Sequence, residues 1–223
     1  EPVSSADVIG TWAGLRPLLR TATNDRTADL SRRHSVRVSP SGVVTITGGK
    51  LTTYRRMAAD TIDQVVRFLG GGRRRCRTKR LALVGAEGFE PGAETNEPSL
   101  HEHLAGRYGA EADAVHDLLR DDPSLGDALV PGLPYIRAEA VHAVRHEMAR
   151  TLDDVLSRRT RARLLARDAS AAAADAVAEL LAGELGWDAA EAARQVSAYR
   201  AAVLRERTNA ELPESALDAS LGA

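Results

Sequence analysis

Gly48-Gly49-Lys50, set between Val43-Val44-Thr45-Ile46-Thr47 and Leu51-Thr52-Thr53, is the run in this chain best suited to chemistry. β-Branched residues fit a pleated strand, and Thr52 and Thr53 suit a helix start. The run therefore predicts a strand, a tight turn and a helix. Met57, Ala58, Thr61, Ile62 and Val65 follow at spacings of three and four, as an amphipathic helix requires. Two glycines at the turn let the backbone approach a ligand closely. The helix start offers unpaired N–H groups and the positive end of the macrodipole, and Lys50 adds a full charge. An anion, or a group that becomes anionic during reaction, suits that place. A nucleotide P-loop is excluded. Val44 stands at its first glycine, and Leu51 stands where the Mg²⁺-binding hydroxyl belongs. Taken locally, an ordinary tight turn accounts for these features equally well.

Two further cations precede the turn: Arg16 in Gly10-Thr11-Trp12-Ala13-Gly14-Leu15-Arg16-Pro17-Leu18, and Arg32 in Ser31-Arg32-Arg33-His34-Ser35-Val36. Guanidinium forks match phosphate or carboxylate oxygens in pairs. Of the 30 Lys and Arg residues only Lys50 and Lys79 are lysines, so a lysine at the glycine turn stands out.

The elements that must position these groups divide the chain. Residues 1–80 carry 16 basic and 6 acidic side chains and residues 81–223 carry 14 and 25, so a net charge of −1 conceals a basic and an acidic half. Two connectors lie between them. Gly70-Gly71-Gly72-Arg73-Arg74-Arg75-Cys76-Arg77-Thr78-Lys79-Arg80 is flexible and basic, and 87–99 is rich in Gly, Pro and Glu. Beyond Pro98 the pattern is helical over His101–Tyr108, Glu111–Arg120, Ala138–Ala166, Ala169–Gly186 and Asp188–Arg207. In the longest of these Val141, Val144, Met148, Leu152 and Val155 form an apolar stripe. Asp188 is the expected N-cap of the last helix, and Gly183 and Gly186 punctuate the one before. His146-Glu147-Met148-Ala149 opens like a zinc-protease motif, but Arg150 replaces the second histidine, and no metal site is expected. His142 and His146 share a face at i, i+4. The single Cys76 excludes an internal disulfide framework, and its basic neighbours should lower its pKa. No apolar run approaches the roughly 20 residues of a membrane span. The basic run lacks interleaved aromatics, which argues against nucleic-acid binding.

Taken together, WAGLRPL, LSRRHSV, SGVVTITGGKLTTYRRMAADTID and EAVHAVRHEMARTLDDVLSRRTRAR resemble the FAD-dependent glycerol-3-phosphate dehydrogenases, over about residues 10–202. The resemblance implies an α+β fold class: the last strands and helix of a FAD/substrate-binding α/β domain (1–69), a linker (70–98), an all-helical C-terminal domain (99–207) and a frayed tail (208–223). The strand–GxGxxG–helix that opens such enzymes is absent, so the chain reads as a C-terminal portion, inactive without the missing N-terminal part. The implied reaction oxidises glycerol 3-phosphate to dihydroxyacetone phosphate with FAD as cofactor and quinone as acceptor. O₂ in an oxidase variant and a non-catalytic helical interaction module are the alternatives. Arg16, Arg32 and Lys50 would bind substrate, with Arg16 and Lys50 as the catalytic pair. Gly48, Gly49, Lys50, Leu51, Thr52 and Thr53 would hold the cofactor, and His34 is a candidate base. The implied setting is cytoplasmic and peripheral on an anionic membrane surface at the inner face of the plasma membrane, with room for a homodimer.

Overall fold

The computed structural model describes residues 33–72, 75–89 and 99–209, together with Ser4, Val8 and Gly14. The chain divides into two compact units, one of Ala13–Ala82 and one dominated by Leu83–Ala223.

In the first unit β1 (His34–Val38) pairs antiparallel with β2 (Val44–Gly48), with Val36 opposite Ile46. Ser39-Pro40-Ser41-Gly42 makes the turn. Gly42 sits at φ 84°, and its N–H donates to the Ser39 carbonyl at 2.9 Å. After Gly48 come a single 3₁₀ turn, Leu51–Thr53, and α1, Tyr54–Phe68. The predicted strand–turn–helix is thus present, with the strand shifted one residue onward. β1 is a strand beyond the one that the sequence pattern predicts. Met57, Thr61 and Val65 are half-buried as the spacing required, but Ala58 and Ile62 are exposed. A two-stranded hairpin is too narrow to cover the whole apolar arc of a helix.

The second unit is helical: α2 (Leu100–Tyr108), α3 (Ala112–Asp121), α4 (Arg137–His146), a π-helical turn (Asp154–Arg159), α5 (Ala162–Leu165), α6 (Arg167–Ala172), α7 (Ala174–Leu185) and α8 (Ala189–Asn209). Ser99 and Glu102 form a reciprocal capping box at the start of α2, with N–H···O distances of 3.3 and 2.7 Å. α4 is the central helix, with every residue from Ala138 to Val144 buried. One side packs with Leu104, Val115 and Leu118, and the other with Leu152, Leu156, Val177 and Leu181. Asp188 caps α8 as expected, its carboxylate accepting from the Glu191 N–H at 2.7 Å. Gly186 closes α7 in the left-handed region at φ 67°, while Gly183 lies within that helix.

The single helix expected over Ala138–Ala166 is three elements. α4 ends where the Glu147 and Ala149 N–H groups both donate to the Ala143 carbonyl, at 3.1 and 3.0 Å. That places Met148 at φ 59°, and a left-handed residue just past the last turn stops the helix. Thr151 and Asp154 then cap the next segment: the Asp154 carboxylate accepts from the Arg150 and Thr151 N–H groups, and Thr151 Oγ1 accepts from the Asp154 N–H. Met148, placed in the apolar stripe by its spacing, is 79% exposed. Among the described residues no helix is long and apolar enough to cross a membrane.

Candidate functional site

At the end of β2, Gly48 and Gly49 sit at φ 77° and 81°, in the region that favours glycine. A Cβ on Gly49 would stand 2.4 Å from Met57 Sδ, so this glycine lets the turn close down onto α1. Lys50 returns to extended backbone, φ −138° and ψ 156°. Its N–H donates to Thr53 Oγ1 at 3.1 Å, the Thr53 hydroxyl donates to its carbonyl at 2.9 Å, and the Thr53 N–H donates to that carbonyl at 2.9 Å. The turn therefore uses two of the four amides that the sequence offered to an anion. Leu51 and Thr52 stand between them, both exposed, as is Lys50. The donor set of a lysine with amides at a helix start fits one anionic edge of a flavin, not an entire dinucleotide. Arg16 and Arg32 lie outside the described residues.

His34, at the opposite end of the hairpin ladder from Gly42, contacts Asp60 on α1 through Nε2 at 2.9 Å. This hydrogen bond, with help from Arg56, holds the Asp60 carboxyl below its usual range. His34 is thereby part of the bracket that fixes α1 to the hairpin. Cys76 is exposed. A hydrogen bond with Thr78 lowers its pKa most, and Arg55 contributes less.

The helical unit holds a polar centre that the sequence reading missed. Glu139, with its side chain fully buried, accepts from Arg107 Nε at 2.7 Å, Tyr108 Oη at 3.1 Å and the Ile136 N–H at 2.8 Å, and contacts His103 Nε2 at 3.2 Å. Burial pushes this carboxyl up, but His103, the Ile136 amide and the Arg107 charge outweigh it and hold it below the ordinary range. Burial pushes the Tyr108 hydroxyl up strongly, and the adjacent carboxylate adds to the effect. Arg107 also lies over the Tyr135 ring, 4.9 Å from its centroid, and its Nη2 donates to the Arg159 carbonyl at 2.6 Å. Arg159 in turn donates from Nε and Nη2 to the Glu147 carbonyl at 3.0 and 2.5 Å. The chain of contacts joins α2, α4, the Met148 corner and the π turn. With its acceptors filled by protein donors, Glu139 is a joint between helices. The sequence signal was a lone carboxylate in Ala138-Glu139-Ala140-Val141, three residues after Ile136.

His142 and His146 do share a face, with ring centroids 4.7 Å apart. His142 is buried, packs edge-on to Tyr108, and has no hydrogen-bond partner at Nδ1. No group of three metal-ligating side chains occurs among the described residues. Arg145 forms a two-pronged pair with Glu184 at 2.7 Å. Arg163 pairs with Glu206 and Asp153.

A glycine-turned hairpin and helix joined to an all-helical unit define the class, the architecture of a FAD-dependent glycerol-3-phosphate dehydrogenase and its C-terminal helical domain. The structure of glycerol-3-phosphate dehydrogenase from Bacillus halodurans, complexed with FAD, matches with a TM-score of 0.58 and 23% identity, over 77% of this chain and 36% of that one. Residues 76–192 match the model of the C-terminal domain of alpha-glycerophosphate oxidase, and the chain belongs to that family. Glycerol-3-phosphate dehydrogenase 2 of Mycobacterium tuberculosis H37Rv is 38% identical over 222 residues, covering 96% of this chain and 38% of its own length. Glycerol-3-phosphate dehydrogenase 1 of the same strain is 43% identical over 169 residues, 74% of this chain and 33% of its own. The mitochondrial glycerol-3-phosphate dehydrogenase of Arabidopsis thaliana is 35% identical over 211 residues, 83% and 33%. The chain spans about a third of the length of these relatives.

Proposed function

We propose that this chain is part of a flavoenzyme that oxidises sn-glycerol 3-phosphate to dihydroxyacetone phosphate, and that it is inactive by itself. The observation that carries this reading is the Gly48-Gly49-Lys50 turn at the start of α1 in a chain of this family. Bound FAD would supply a two-electron acceptor for the hydride leaving C2 of the substrate, and a quinone would take the electrons onward. Lys50, with the Leu51 and Thr52 amides and the α1 dipole, would stabilise negative charge developing at the edge of the cofactor. Arg16 and Arg32 would neutralise the substrate phosphate, a dianion that needs fixed cations. The exposed cations Arg75, Arg77, Lys79 and Arg80 suit an anionic membrane surface, at the inner face of the plasma membrane in a cytoplasmic enzyme.

The test is glycerol 3-phosphate-dependent dye reduction by the polypeptide completed to the length of its relatives. Lys50→Ala should lower kcat by about 100-fold or more, the scale of losing one preorganised charge-stabilising group. Unchanged kcat with full flavin content would remove Lys50 from the site. Arg16→Ala should chiefly raise KM, and an unaltered KM would end its phosphate role. Because the matching family model is described as that of an oxidase, peroxide release in air is the second reading. Stoichiometric H₂O₂ without added quinone would establish it.

A further inference from the structure

A cleft of about 470 Å³ opens between α3, α4 and α7, built by the helical unit alone. Its floor is apolar. Leu118, Leu125 and Val141 are buried there, and half-buried Leu180 packs against both clusters of the helical core. Its rim sets four carboxylates against two guanidinium groups. Two of the carboxylates are engaged. Glu184 takes both prongs of Arg145, and Asp122 accepts from the Ser124 N–H at 2.9 Å and feels the charge of Arg137. Asp121 and Glu179 are exposed and have neither a hydrogen bond nor an ion pair among the described residues.

Two further features favour a cation here. Asp121 is the last residue of α3, and Gly183 and Glu184 lie in the last turn of α7, so the negative ends of two helix dipoles reach the same rim. Gly183, one turn after Glu179, widens the opening. Glycine is a poor helix former, and a Cβ at Gly183 would meet no atom within 4 Å, so packing inside the chain does not call for it. An apolar floor under a rim of surplus negative charge suits a cation with an apolar body, and the volume is that of a small-molecule site. We infer that the α3–α4–α7 cleft binds a small organic ammonium ion, its hydrocarbon body on Leu118 and Leu180 and its ammonium held by Asp121 and Glu179.

The experiment titrates the full chain with n-hexylammonium, hexanol and hexanoate, three probes with one hydrocarbon body and different heads, and follows amide shifts by NMR. Shifts at Leu118, Leu180 and Gly183 should saturate with hexylammonium at a concentration about tenfold below that for hexanol, and hexanoate should bind more weakly still. Asp121→Asn with Glu179→Gln should weaken hexylammonium about tenfold and leave hexanol unchanged. Gly183→Leu fills the opening and should weaken both, with circular dichroism unchanged. Asp113→Asn with Asp117→Asn, the same change of charge on α3 away from the cleft, should leave hexylammonium binding as it is. Hexanoate binding as tight as that of hexylammonium overturns the inference by making the cleft an anion site on Arg137. Undiminished hexylammonium affinity in the Asp121/Glu179 variant or in Gly183→Leu also overturns it, as does equal loss in the Asp113/Asp117 variant or shifts that never saturate.

Discussion

Glu139 and His142, one turn apart on the most buried helix, respond to acid in opposite chemical senses with the same result. Glu139 is held ionised by its donors, so its folded pKa lies below its unfolded value. The stability it contributes is present above about pH 4.5 and is lost as pH falls through the folded pKa. His142 is pushed down, first by burial and then by the neighbouring His146, although Glu147, Glu111 and Glu139 pull the other way. Its neutral form belongs to the fold, so the stability it contributes is present above about pH 6.5 and drains away as pH falls below that. Melting temperature should therefore decline in two stages as pH falls, the first below about pH 6.5 and the second below about pH 4.5, and His142→Gln should flatten the first stage. An unchanged slope between pH 7 and 5.5 in that variant would show that His142 does not titrate as its burial demands. Glu139→Ala leaves the Tyr108 hydroxyl and the Ile136 N–H without their buried acceptor, while Arg107 is exposed enough to turn to water, and should cost about 1–3 kcal/mol by urea unfolding. A loss below about 1 kcal/mol would mean that water or another acceptor replaces the carboxylate.

At the scale of elements, the end of α4 departs furthest from periodicity. A non-glycine residue in the left-handed region costs about 1–2 kcal/mol, and Met148 bears it because Arg159 grips the Glu147 carbonyl beside it. Met148→Gly should stabilise the chain by about 0.5–1 kcal/mol, after allowing for glycine's greater unfolded-state freedom. Destabilisation would show that the exposed thioether makes contacts that matter. Asp154→Ala removes the acceptor of two N–H groups at the next helix start and should cost about 1 kcal/mol. The break was present in the sequence as Thr151-Leu152-Asp153-Asp154, a capping box, but the apolar spacing on either side bridged it. The strand–turn–helix of 44–68, the caps at Asp188 and Gly186 and the extent of α8 were legible because each rests on local chemistry. The Glu139 centre was not, because its partners His103 and Arg107 lie 36 and 32 residues away. Burial of Arg163 against Glu206 was hidden for the same reason, with the partners 43 residues apart.

For the whole molecule, burial is divided as unevenly as charge. The fully buried apolar side chains among the described residues run from Leu104 to Val203, all in the helical unit. The hairpin and α1 contribute none, and their apolar stripe faces solvent. Conformational entropy of about 1–2 kcal/mol per ordered residue opposes both units alike, so only the helical unit has the buried surface to offset it. Hydrogen exchange on the isolated chain should follow that division. Amides of α4, α7 and α8 should exchange through global opening, and those of β1, β2 and α1 through low-energy local opening, several orders of magnitude faster. Urea should melt them in separate transitions, the smaller one first. Protection of α1 equal to that of α4 would mean that the hairpin unit is stable without further cover. Slow exchange of α1 that appears only with the complementary portion of the enzyme would tie the stability of the glycine turn to assembly. The Lys50 site would then be ordered only where there is a cofactor edge for it to meet.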